Sequence, residues 1–139
     1  MDTDFEGVLA FFKELGPLSL SKTKLAFEGD LGLGKTFLIK ALLELMDPHL
    51  PSQAASPSFA LCLSYQSGPY QIDHFDLYRL ENQDQLDEIG LWESLEDPDR
   101  ASWIEWAGKY NLVLRACDLV VTLTESQGQR AYQITRNPR

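Results

Sequence analysis

The chain is poor in the features that mark secreted and membrane-bound proteins. It has two cysteines in 139 residues, Cys62 and Cys117, without the spacing of a metal site. We therefore expect buried thiols in a reducing compartment, with a disulfide between them as the alternative. No apolar run approaches the roughly 20 residues of a membrane span, and the acidic start MDTDFEG lacks the apolar core of a secretion signal. These absences predict a cytoplasmic protein.

Basic residues are also scarce. Lys and Arg total 12 against 21 Asp and Glu, which gives a net charge of −9. Tight binding to nucleic acid needs a basic surface, so the chain alone is not expected to hold nucleic acid. It could still join a nucleic-acid complex in which another subunit supplies the positive charge. The length and the apolar fraction of 44% fit one globular domain, residues 1–139.

The most specific pattern present is GDLGLGKT, which matches the phosphate-binding loop G-x-x-x-x-G-K-[ST]. Glycines let backbone N–H groups approach a polyphosphate, the lysine adds a cation, and the threonine hydroxyl can bind Mg²⁺. An apolar strand, LAF, precedes the loop, and a helical stretch, 37–46, follows it. These neighbours argue against the alternative, a glycine-rich turn that carries a lysine by chance. The predicted nucleotide-binding residues are Gly29, Asp30, Leu31, Gly32, Leu33, Gly34, Lys35, Thr36 and Phe37.

The remaining patterns predict an α/β fold. A helix is expected over 3–15, with Thr3 and Glu6 as a capping box, and an antiparallel hairpin is expected from strands on either side of the turn 67–69. Further strands are expected in the following segments: ASWIEW, CDLVVTLTE and RAYQITR. Short helices separate some strands, so we predict a P-loop NTPase-type sheet of mixed parallel and antiparallel strands, flanked by helices. In the helix after the loop, the apolar face is predicted to contain Phe37, Ala41, Leu42 and Leu45.

Two carboxylates stand where apolar strands end. Asp76 lies in HFDLYR, where His74, Asp76 and Tyr78 are predicted to share one strand face, and Glu105 ends SWIEW. Ligands of such sheets bind beyond the carboxyl ends of the strands, so both acids are candidate Mg²⁺ or water-orienting groups beside Thr36. The alternative is a pair of solvated or salt-bridged acids, and His74 is expected to be a structural strand histidine.

Two further side chains could complete a nucleotide site. Ser58 lies in the loop SPSF, where a hydroxyl could reach the γ-phosphate or the metal; a simple Ser-Pro turn is the alternative. Arg130 could contact the nucleotide, or it could form only a surface ion pair of little energetic value.

The segments GDLGLGKT, SPSF, HFDLYRL and IEW, in this order and at these separations, resemble the bacterial TsaE family, formerly YjeE. The resemblance extends from the phosphate loop to Arg130. It implies a P-loop fold that binds ATP with Mg²⁺ and hydrolyses it slowly. It also implies that the protein acts together with TsaB-like and TsaD-like proteins. These proteins place a threonylcarbamoyl group on the adenosine beside the anticodon of certain tRNAs.

Carried over position by position, the resemblance implies roles for Lys35, Thr36, Ser58, Asp76, Glu105 and Arg130. Lys35 and Thr36 would hold phosphate and metal, and Ser58 matches the switch-loop hydroxyl of the family's S-P-T-F. Asp76 matches the Walker B-type acid, and Glu105 matches the metal-linked acid of E-W-P. Arg130 stands in a C-terminal G-x-R segment near the nucleotide. Ala107 replaces the proline that usually follows Glu-Trp.

Two other functions share the phosphate loop. A small nucleotide or metabolite kinase would also need an acceptor-binding insert and usually a basic lid, and the sequence has no arginine-rich segment to form one. A nucleotide-gated binding module would keep the loop and the Mg²⁺ ligands and use the bound state to dock a partner, with negligible hydrolysis.

Overall fold

The computed structural model describes residues 2–30, 34–50 and 61–137. Its strands are β1 (Asp2–Thr3), β2 (Lys24–Glu28), β3 (Cys62–Ser67), β4 (Tyr70–Asp76), β5 (Ala101–Glu105), β6 (Leu119–Ser126) and β7 (Gln129–Arg136). They form one seven-stranded sheet in the order β1-β7-β6-β2-β5-β4-β3. Strand β2 pairs in parallel with β5 and β6, and β4 pairs in parallel with β5. The outer pairs β3–β4, β6–β7 and β1–β7 are antiparallel. The prediction of a mixed sheet is thus confirmed.

Both hairpins close with the backbone geometry that their turns require. Gly68, at φ +54°, lies in the turn between β3 and β4, which is the hairpin expected from the sequence. Between β6 and β7, Gln127 and Gly128 have φ of +52° and +76°. Two consecutive residues with positive φ match the twist of a tight hairpin, so this turn fixes the β6–β7 register.

Helices cover both faces of the sheet. They are α1 (Phe5–Leu15), α2 (Pro17–Leu20), α3 (Lys35–Met46), α4 (Asp84–Glu88), α5 (Leu91–Glu96) and α6 (Asn111–Ala116), with a 3₁₀ turn at Ala107–Lys109. On one face α1 and α3 pack against Phe27 and Trp103, and on the other face α5 and α6 pack against Phe75 and Ile104. No helix in these ranges combines the length and apolar character that crossing a membrane requires.

The first helix begins later than the sequence predicts. Asp4 is its N-cap, and the Asp4 carboxylate accepts a hydrogen bond of 2.9 Å from the N–H of Gly7. Thr3 instead lies in β1, paired with Tyr132. The capping box of Thr3 and Glu6 was therefore wrong, because sheet pairing holds Thr3 in an extended conformation.

The apolar face of α3 also differs from the prediction. The buried side chains of α3 are Lys35, Leu38, Ile39, Leu42, Leu43 and Met46. Phe37 is 61% exposed, and Ala41 and Leu45 are only half-buried. Lys35 belongs to the same stripe as Leu38 and Leu42 at helical spacing. Phe37 is two residues beyond Lys35, which places it about 200° around the helix. Because Lys35 faces the sheet, Phe37 faces solvent.

Strand β4 ends at Asp76, so Tyr78 does not share a strand face with His74 as predicted. The chain beyond Asp76 is held instead by Lys109, whose ammonium donates to the carbonyls of Tyr78 at 2.9 Å and of Leu80. No sequence pattern predicted α2, α6 or the 3₁₀ turn that carries Lys109. Cys62 and Cys117 do not form a disulfide with each other. Cys117 is buried and Cys62 is half-buried, and burial raises the pKa of the Cys62 thiol to about 11.

Candidate functional site

The candidate site lies at the carboxyl ends of three neighbouring parallel strands. Strand β2 leads directly into the phosphate loop at Gly29. Asp76 is the last residue of β4 and is paired in register with Glu105, the last residue of β5. Glu105 is in turn paired with Phe27 of β2. The sheet register therefore brings both carboxylates to the edge from which the phosphate loop starts.

Both acids lie on the face of the sheet that α3 covers. Side chains alternate between faces along a strand, so Glu105 shares a face with Trp103, which packs in the same cluster as the apolar side of α3. Asp76 and Glu105 are each almost fully buried. One Asp76 carboxylate oxygen accepts a 2.9 Å hydrogen bond from the N–H of Tyr78. Burial and hydrogen bonding keep the two acids in defined positions, unlike solvated strand-end acids.

Two glycines of the loop allow close approach by neighbouring groups. Gly29 has φ +144°, and a Cβ there would lie 2.8 Å from the carbonyl oxygen of Leu123 on β6. Gly34 has φ +90°, and a Cβ there would lie 2.6 Å from a guanidinium nitrogen of Arg130. Any other residue would be strained in the backbone at both positions. At Gly29 it would also collide with the Leu123 backbone, whereas at Gly34 the Arg130 side chain would have to move. The structure thus sets the Arg130 guanidinium against the end of the phosphate loop.

Lys35, the first residue of α3, is the central cation of the site and is only 5% exposed. Its ammonium donates to the carbonyl of Gly29 at 2.7 Å and lies 4.2 Å from the ring centroid of Trp106. Burial lowers the pKa of Lys35, and the negative charges of Glu105 and Asp76 oppose that effect. The Lys35 ammonium is thus partly desolvated and lies near two carboxylates. A polyphosphate would give the ammonium a further anionic partner, and a metal ion would give the carboxylates a cationic one. Thr36 follows as the second residue of the helix.

Trp106 directly follows Glu105 in the chain and lines a surface cleft. It has φ +61°, and its backbone N–H donates to the carbonyl of Phe27 at 3.3 Å. The Trp106 ring lies 4.9 Å from the Tyr78 ring. The cleft, of about 580 Å³, is lined by Glu28, Tyr78, Trp106, Gly108 and Lys109. Burial raises the pKa of Glu28, while a hydrogen bond from the N–H of Gly108 opposes the rise.

A second cleft, of about 560 Å³, lies on the other side of the loop, towards β7 and β1. Its lining residues are Asp4, Phe5, Phe37, Gly128, Gln129, Arg130 and Tyr132. The Phe5 ring lies 5.2 Å from the Phe37 ring and 6.0 Å from the Tyr132 ring. The sequence patterns indicated Phe37 and Arg130 as nucleotide-binding residues but gave no such indication for Phe5 and Tyr132. No local signal joins an N-terminal helix to a C-terminal strand.

The donor set fits magnesium held jointly with phosphate. Within residues 2–30, 34–50 and 61–137, no group of three or more His, Cys, Asp and Glu side chains could hold a metal by itself. Mg²⁺ usually keeps several waters and takes one or two carboxylates plus phosphate oxygens, and Asp76, Glu105 and Thr36 supply oxygen donors of that kind. The predicted residues Leu31, Gly32, Leu33 and Ser58 lie outside the described residues.

A family model, "Threonylcarbamoyl adenosine biosynthesis protein TsaE", matches residues 3–134. The chain belongs to the TsaE family. The family match confirms the resemblance inferred from the motifs, because every one of those motifs lies within the matched range.

Individual TsaE relatives match the chain over different lengths. The tRNA threonylcarbamoyladenosine biosynthesis protein TsaE of Nostoc sp. is 33% identical over 138 residues, which is 95% of this chain and 82% of that protein. The TsaE of Haemophilus influenzae is 33% identical over 95 residues, 68% of this chain and 58% of that protein. The crystal structure of Bacillus subtilis YdiB shares the fold at a TM-score of 0.61 and 22% identity, covering 99% of this chain and 84% of that one.

Proposed function

We propose that this TsaE-family protein binds ATP with Mg²⁺ and hydrolyses it slowly, as the ATPase component of tRNA threonylcarbamoyladenosine biosynthesis. The observation that carries the proposal is the position of Lys35. It starts the helix after a phosphate-loop sequence, and the nearby negative charges include Asp76 and Glu105, register partners at two strand ends. This is the set of groups that phosphoryl transfer needs: a phosphate cradle, a cation, and carboxylates for the metal.

The strand order favours one orientation of the nucleotide, with its phosphates and its base on opposite sides of β2. The carboxylates belong to β4 and β5 on one side of β2, whereas the aromatic cleft lies towards β7 and β1 on the other side. A nucleotide whose terminal phosphate faces Asp76 and Glu105 would therefore place its base in the cleft beside Phe37. Arg130 lies against Gly34 and also lines that cleft, so it is suited to contact the phosphates nearer the ribose.

Each residue then has a distinct task. Lys35 would exchange the Gly29 carbonyl for the β- and γ-phosphates, and Thr36, Asp76 and Glu105 would hold Mg²⁺ directly or through water. Bound Mg²⁺ supplies neutralisation of the charge that develops on the phosphate oxygens. The Ser58 hydroxyl is proposed to contact the γ-phosphate, so that its loop orders with ATP and relaxes after hydrolysis.

The aromatic cleft leads to a prediction about base recognition. Phe37→Ala is expected to weaken ATP binding about tenfold, because stacking of a base on an aromatic ring contributes roughly 1–3 kcal/mol. Binding of inorganic triphosphate, which has no base, should be unchanged. Calorimetry with both ligands tests this. Leu112→Ala, which removes another exposed apolar side chain, is the control. Equal losses for ATP and triphosphate would argue against a base site in this cleft.

The proposed partners are TsaB-like and TsaD-like proteins. The family description supports this choice, because it names threonylcarbamoyl adenosine biosynthesis. The net charge of −9 supports a separate point, since it supplies no counterion-release driving force for binding RNA. The tRNA would then be held by the other subunits, and this chain would contribute the nucleotide cycle.

Docking to these partners is expected to depend on the nucleotide. The chain should associate with TsaB-like and TsaD-like proteins more strongly in ATP than in ADP, and Ser58→Ala should reduce that difference because the loop loses its γ-phosphate contact. Analytical ultracentrifugation of the mixed proteins measures it, with Ser19→Ala, at an exposed serine of α2, as the control. Equal association in ATP, in ADP and without nucleotide would disprove the switch. Tight tRNA binding by the isolated chain at physiological salt would contradict the charge argument.

The alternative functions predict different products. A nucleotide or metabolite kinase would transfer the phosphoryl group to an added acceptor, whereas the proposed ATPase releases inorganic phosphate. A nucleotide-gated binding module would show no rise in turnover when the partner proteins are added. Phosphate release with and without acceptors, and with and without partners, separates the three.

A further inference from the structure

His74 makes a buried contact that the proposed nucleotide site does not yet explain. Its side chain is fully buried on β4, two residues before Asp76. Its Nε2 lies 2.8 Å from Oε2 of Glu105, and the two side chains are 0% and 5% exposed. His74 is directly paired with Trp103 in the sheet, so it reaches Glu105 diagonally across the neighbouring strand.

The chemistry of the pair assigns the proton. An ionised carboxylate can only accept hydrogen bonds, so Nε2 of His74 carries the hydrogen and donates it to Glu105. Nδ1 is then an acceptor, and it is buried without a hydrogen-bond partner among the described residues. The other tautomer would leave a buried N–H at Nδ1 unpaired and would set the lone pair of Nε2 against the carboxylate. The tautomer with its hydrogen on Nε2 is therefore the one that fits this environment.

A second group competes for the Glu105 carboxylate. Glu105 is the charge that most opposes the lowered pKa of Lys35, so it attracts the Lys35 ammonium. Yet Lys35 donates to the Gly29 carbonyl, whereas Glu105 is bound by His74. If Glu105 turned towards Lys35 and paired with it, the lysine would be less available to phosphate. The torsion that orients a Glu carboxylate has only broad preferences, so an external hydrogen bond is needed to set it.

We propose that His74 is a positioning residue for Glu105: its Nε2–H holds Oε2 and leaves Oε1 for the magnesium shell of the bound nucleotide. The inference rests on the proposed function, since it gives Glu105 its role at the metal. His74 itself touches neither nucleotide nor metal. The contribution of His74 should therefore appear in the magnesium dependence of nucleotide binding, and the magnesium-free affinity should be unaffected.

Two substitutions separate positioning from packing. His74→Gln keeps an N–H donor near the position of Nε2, whereas His74→Phe keeps a ring of similar size without a donor. Affinity for a non-hydrolysable ATP analogue is measured by calorimetry in Mg²⁺ and in EDTA, with thermal melting to check folding. We expect all three proteins to agree within about twofold in EDTA. The gain in affinity from Mg²⁺ should fall about tenfold in His74→Phe and be retained in His74→Gln.

The outcomes distinguish this inference from the proposed function. If the wild-type protein binds no analogue under either condition, the nucleotide function fails and the inference fails with it. If the wild-type protein binds with a Mg²⁺ gain that His74→Phe leaves unchanged, or if both variants lose affinity equally in EDTA, only the positioning role of His74 is overturned.

A measurement that leaves His74 in place covers the case in which His74→Phe does not fold. The chain has two histidines, so ¹⁵N NMR of the imidazoles resolves His74 from the exposed His49. We expect the hydrogen on Nε2, with an Nε2–H resonance that shifts when Glu105 is replaced by Gln. An Nδ1–H tautomer, or an unmoved resonance, would overturn the inference.

Discussion

Lys35→Ala is expected to weaken ATP binding by about 10- to 150-fold while the protein stays folded. The ammonium is the cation at the centre of the site, and losing a hydrogen bond to a charged group costs roughly 1.5–3 kcal/mol. The fold should tolerate the change because burying the charged ammonium costs desolvation free energy, which is also what lowers the pKa of Lys35. Removing the ammonium removes that cost. Calorimetry with ATP and Mg²⁺ measures the affinity, and chemical denaturation measures the free energy of unfolding.

The chain offers a matched control for this substitution. Lys40 lies on the same helix, α3, but is exposed. Lys40→Ala removes the same charge from the same element and should leave ATP affinity within about twofold of the wild type. Wild-type affinity in Lys35→Ala, or an equal loss in Lys40→Ala, would contradict the assignment of the phosphate loop.

Asp76→Asn and Glu105→Ala are each expected to slow Mg²⁺-dependent ATP hydrolysis by about a hundredfold or more, because preorganised charges at the reacting phosphate contribute on that scale. ATP affinity should change less, by under about tenfold, since the loop and Lys35 remain. Single-turnover hydrolysis and calorimetry measure the two quantities separately. Asp87→Asn, the same substitution at an exposed position of α4, is the control.

Asp76→Asn should not lower the stability of the fold. Asp76 and Glu105 are directly opposite each other on neighbouring strands, and like charges so placed repel. Neutralising Asp76 should therefore leave the melting temperature unchanged or higher while hydrolysis falls, which is the usual compromise between stability and activity at a functional site. Loss of hydrolysis together with a large loss of stability would instead indicate that Asp76 has a structural role.

Several features followed from the sequence because their signals are local. The phosphate-loop pattern needs only eight consecutive residues, and apolar runs that end in an acid identified Asp76 and Glu105 as strand-end carboxylates. Turn residues at 67–69 predicted the β3–β4 hairpin. The same local reasoning failed for Thr3, where the capping pattern was present but long-range pairing with Tyr132 prevailed.

The sequence by itself determined the phosphate loop, the negative charge and the order of the motifs, since each depends only on neighbouring residues or on composition. Tertiary structure alone decided which distant residues meet. Parallel register brings Asp76 beside Glu105, and it also brings His74 within 2.8 Å of that acid. The burial of Lys35 turned Phe37 outward into a cleft. Sequence periodicity could not predict these contacts, because at best it groups side chains on a face of one element and carries no information about what lies opposite that face.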